Sequence, residues 1–172
     1  MIGRLFSHFV AMLNSVGGVL IFLLVLLINL DIFCRWLFNA PIDGVTELVE
    51  LSIVAIVFLQ LADAVRHGRL TRSDGLFEKI RARYPTLGHG MNMAFNFAGA
   101  AFFCALVTGA IPRFVDAWQR GYYSGNQGIV VIPVWPVRLI IVIGALTVIA
   151  VFIDLMRKDL MAILGRQTES SI

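Results

Sequence analysis

Residues 9–33 read FVAMLNSVGGVLIFLLVLLINLDIF, and no charged side chain lies between Arg4 and Asp31. An apolar run of this length exceeds the ~20 residues a helix needs to cross a bilayer. It is too long for the apolar core of a signal peptide and lacks an A-x-A cleavage site, so the first helix is expected to be retained. Whatever else the chain does, this segment places it in a membrane.

The remainder agrees. The chain is 59% hydrophobic and 15% charged, where an average soluble domain is roughly a quarter charged. Its apolar residues fall in blocks, which predicts an all-α membrane protein, a four-transmembrane-helix bundle forming one membrane domain over residues 1–172. The expected spans are about 9–33, 45–65, 90–111 and 134–154. The second is the least obvious, because only Leu51 to Ala62 is uncharged and Glu47, Glu50 and Asp63 must sit near the interfaces. The third lies between Arg83 and Arg113, and the fourth carries Arg138 one turn from its start, where a long side chain snorkels to the headgroups.

Charge sidedness tests the second span. If it crosses, the amino terminus, the second loop and the tail share one side and hold ten of the fourteen Lys and Arg. Arg35, Arg113, Arg120 and Arg138 fall opposite. Positive residues concentrate on the cytoplasmic side, so four spans with both termini cytoplasmic satisfy the rule better than a re-entrant second block. Trp36, Trp118, Trp135, Tyr122 and Tyr123 then all lie at the outer end, where amphipathic rings favour the interface. The net charge of +3 is thus a topology signal, and no long basic arm points to nucleic acid.

Between the second and third spans, residues 73–84 carry Leu76, Phe77, Ile80 and Tyr84 on one helical stripe, flanked by Arg81 and Arg83. This predicts an amphipathic interfacial helix whose apolar face contacts lipid and whose cations meet anionic headgroups. A connector packed on its own bundle has the same signature. In the third span, Ala101, Ala105 and Gly109 form a small-xxx-small seam that permits close helix approach within the bundle, and Asn92 and Asn96 make a second i,i+4 pair.

Candidate chemistry is sparse. Glu47 and Glu50 share a face of the second helix near its outer end. They suit either a cation or proton site, or acids held by the helix amino terminus and by partners such as Arg35. The second reading is preferred, because Glu50 lies only about 10 Å into the helix from Asp43 and a coupling site belongs nearer the midplane. Asp31 with Arg35, and Asp63 with Arg66 or His67, are expected to pair at helix ends. His8, His67 and His89 all fall near the cytoplasmic interface, unlike the facing histidines of a bis-histidine haem. Cys34 and Cys104 offer neither a C-x-x-C motif nor matching depth for a disulfide. No cofactor, metal or catalytic motif is expected. Two rival functions remain: a small proton-coupled exporter acting as a homo-oligomer with Glu50 titrating, and a haem-carrying membrane anchor of an enzyme complex.

Three stretches resemble a known family. Arg35 to Glu50, RWLFNAPIDGVTELVE, carries a pattern of Arg35, Phe38-Asn39, Pro41-Ile42 and Glu47 or Glu50. Phe58-Leu59, Ala62, Arg66, Gly68 and Asp74 form a second group, and Ile132-Pro133-Val134-Trp135 a third. Together they resemble the DctQ-type small membrane subunit of tripartite ATP-independent periplasmic (TRAP) transporters. Leu70, Ser73 and Val142 stand where that pattern has a histidine, a valine and a proline. The resemblance implies a sodium-coupled organic-acid uptake system in the bacterial inner membrane. In it a periplasmic binding protein captures substrate, a large membrane subunit (DctM-type) translocates it, and this small subunit scaffolds the large one and helps dock the binding protein. On that reading Arg35, Asn39, Pro41, Glu47, Glu50, Arg66, Asp74, Pro133 and Trp135 are structural or subunit-contact residues.

Overall fold

A computed structural model of the chain describes residues 2–68, 85–125 and 131–169, with side chains over 5–68, 90–125 and 131–161. The interfacial helix expected at 73–84, and with it Asp74, Leu76, Phe77, Ile80, Arg81, Arg83 and Tyr84, lies outside the described residues. Four helices are described: α1 (Ile2–Phe38), α2 (Val45–Arg66), α3 (Pro85–Arg120) and α4 (Trp135–Glu169). Each is long and apolar enough to cross a membrane. Between α3 and α4, β1 (Tyr123–Ser124) and β2 (Ile132–Pro133) pair antiparallel, Tyr123 opposite Pro133.

Backbone chemistry explains the boundaries. α1 ends where Asn39 adopts a left-handed conformation, φ 51°, with Pro41 just beyond to prevent continuation. α2 begins after Gly44, also left-handed at φ 84°, and closes on Gly68, whose N–H donates to the Val65 carbonyl. α3 opens on Pro85 and α4 places Pro136 in its first turn, positions where the missing proline N–H costs nothing. Three helices overrun the apolar stretches read from the sequence. α1, with 37 residues, is about 55 Å long, against ~30 Å of hydrocarbon. The polar ends stay helical because i,i+4 pairs such as Lys158 to Asp154, 2.7 Å apart, favour helix on their own. α2, at 22 residues, barely spans.

The helices form an open row in the order α1, α2, α4, α3. α3 packs on α4, α4 on α2, and α2 on α1. Burial shows the same order: 11% of the apolar window is buried in both α1 and α3, against 28% in α2 and 33% in α4. Phe22, Leu26 and Leu30 of α1 and Phe97 and Phe102 of α3 are consequently more than half exposed. In water such faces would be an aggregation patch; in lipid they are correctly solvated.

Since lipid is as apolar as leucine, close packing and polar ties hold helices together. The core sits at the end of the row nearest the amino terminus, where Val10, Ala62, Val65, Val148, Val151 and Phe152 form one buried cluster. Small and β-branched residues dominate it, so backbones approach closely. Where α2 crosses α4, a Cβ on Gly144 would lie 2.5 Å from the Phe58 carbonyl oxygen. At the same end each outer helix is tied to an inner one by an asparagine on an aspartate. Asn14 donates to Asp63 at 3.2 Å, and Asn96 to Asp159 at 3.4 Å.

The aromatic end

Trp36, Trp118 and Trp135 fall at the opposite end of the row, near the end of α1, the end of α3 and the start of α4. Trp118 and Trp135 stack edge to face at 4.7 Å. Pro133 contributes to the β2 pairing that precedes Trp135, and the Val134 N–H closes on the Tyr122 carbonyl. This brings the chain back into α4 with its first turn fixed.

Candidate functional site

The first loop at the aromatic end is organised by Asp31. The residue is 7% exposed, and its carboxylate accepts from the Arg35 guanidinium at 3.0 Å and from the Ile42 backbone N–H at 2.8 Å. One side chain on α1 therefore fixes both the last turn of its own helix and the approach to α2. Left-handed Asn39 and rigid Pro41 make the turn, and Asp31 locks it. Sequence reasoning paired Asp31 with Arg35 but missed the bond to Ile42. A buried acid eleven residues before a proline-containing loop is a weak signal.

Glu47 and Glu50 follow in the first turns of α2. Arg35 is committed to Asp31 and does not serve as their partner. Among the described residues neither glutamate has an ion-pair partner, and Glu50 is exposed. Glu47 gains from the positive end of the helix dipole. Two carboxylates and a half-exposed guanidinium thus surround a rigid loop at one corner of the row.

At the other end of α2, Asp63 is buried and meets His67 at 3.1 Å as well as Asn14. Arg66 lines a polar cleft of about 190 Å³ with Asn92, Asn96, Lys158 and Asp159. The cysteines are both unbonded, Cys104 exposed and Cys34 half-buried. No cluster of three or more metal-binding side chains occurs among the described residues.

The small-residue seam of α3 is not where the sequence placed it. Ala101, Ala105 and Gly109 are exposed, and a Cβ on Gly109 would meet nothing within 4 Å. The close approach inside the row is made instead by Gly144 on Phe58 and by Gly99 on Phe152. Ala105 and Gly109 instead border a cleft between α3 and the neighbouring α2 and α4.

Residues 24–161 match the family model of the tripartite ATP-independent periplasmic transporters, DctQ component. The chain belongs to the DctQ family. It is thus the small membrane component of a TRAP transporter, and the match covers the locked loop, α2 and the entry to α4. No curated protein and no solved structure matches it.

Proposed function

We propose that this chain scaffolds the large transport subunit of a sodium-coupled organic-acid importer and helps dock the periplasmic binding protein. On this reading it lies in the bacterial inner membrane with both termini cytoplasmic. The observation that carries the proposal is the open row itself. Four helices with ionisable groups gathered at their ends offer an anion no path, whereas a row with two poorly buried outer helices offers a broad lateral surface. The poorly buried outer helices α1 and α3 support a subunit contact along the row. The locked loop with Glu47 and Glu50 supports a second contact, at the aromatic end.

The sidedness of Lys and Arg supports cytoplasmic termini. That orientation turns the aromatic end and its loops toward the periplasm, where a binding protein would reach them. Affinity purification of the tagged chain from cells expressing the neighbouring membrane protein tests the scaffold role. A large multispan protein is expected to copurify in fixed ratio. Recovery of this chain alone, after mild solubilisation and with the large protein present in the membrane, would contradict it.

A further inference from the structure

Between α2, α3 and α4, toward the aromatic end, lies a cleft of about 460 Å³. Its walls are mainly apolar, formed by Phe58, Ala105, Gly109 and Ile141, with Arg113 and Arg138 also lining it. Arg138 does not extend away to water. Its guanidinium donates to the Arg113 carbonyl at 2.5 Å and lies 5.7 Å from the Tyr122 ring centre. Arg113 is exposed, and among the described residues neither arginine has a carboxylate partner.

Two guanidinia without a carboxylate partner beside an apolar slot present paired donors to an external anion. Along α3, Arg113 sits about 8 Å below Trp118 and about 12 Å above Ala105. The charges are therefore at headgroup depth and the slot runs toward the midplane. Arginine forks match the oxygens of a phosphodiester.

We propose that this cleft binds an anionic glycerophospholipid, with its phosphate on Arg113 and Arg138 and one acyl chain along Phe58, Ala105, Gly109 and Ile141. The site needs only that the chain lie in a bilayer, so it stands or falls independently of the transport role.

Native mass spectrometry of the full-length chain, delipidated and titrated with phosphatidylglycerol, phosphatidylcholine or inorganic phosphate, tests the site. Phosphatidylglycerol is expected to bind at least about tenfold more tightly than phosphatidylcholine, and inorganic phosphate is expected not to displace it. The double variant Arg113→Gln/Arg138→Gln should lose that preference. Gly109→Leu should weaken lipid binding by a similar factor. It fills the slot while leaving both arginines in place, and a Cβ there meets nothing within 4 Å, so the fold is expected to be retained. Equal binding of the two lipids, displacement by phosphate alone, or undiminished binding to Gly109→Leu would overturn the proposal.

Discussion

Asp31 and Arg35 form one ion pair with unequal stakes. The carboxylate is buried and also accepts the Ile42 N–H, whereas the Arg35 side chain is 64% exposed. Asp31→Ala strips a buried donor of its acceptor and should destabilise the chain by about 1–3 kcal/mol, read as a lower thermal midpoint in detergent. Arg35→Ala leaves the buried carboxylate its bond from Ile42 but takes its cation away, so it should lower that midpoint by less than Asp31→Ala does. Its expected effect is on assembly, as reduced copurification with the large subunit. The Glu47→Gln/Glu50→Gln pair should reduce copurification while leaving the midpoint unchanged, because those carboxylates make no ion pair among the described residues. A drop in stability equal to that of Asp31→Ala would make them structural.

At the scale of helices, two glycines with similar sequence surroundings have opposite roles. Gly144→Ala drives a methyl into the Phe58 backbone and should cost about 1–3 kcal/mol by forcing α2 and α4 apart. Gly109→Ala meets open space and should leave the thermal midpoint of the isolated chain unchanged. The sequence did not distinguish them. In a water-soluble helix the apolar stripe announces its buried face, but here lipid and protein interior are equally apolar and the pattern is silent. The four spans were readable because each apolar block is long enough, and the first loop because glycine, proline and asparagine mark a turn that apolar neighbours cannot obscure. Helix ends were read short, since hydropathy measures the membrane's thickness and helix propensity does not stop there. Asp31 to Ile42 and Arg138 to Arg113 were invisible because both join a side chain to a backbone group, for which residue type carries no signal.

Among the described residues the molecule is a row with two ends and two poorly buried outer helices, an arrangement suited to lying along a larger neighbour. Membership of the DctQ family supplies that neighbour in kind. Such a scaffold has a sharp functional consequence: alone it should move nothing, and without it the large subunit should fail. Reconstitution into vesicles, with radiolabelled organic acid outside and an inward sodium gradient, measures this directly. Uptake is predicted only when this chain, the large subunit and the binding protein are all present, and to collapse when the sodium gradient is dissipated. Uptake by this chain alone, or undiminished uptake when it is omitted, would contradict the account.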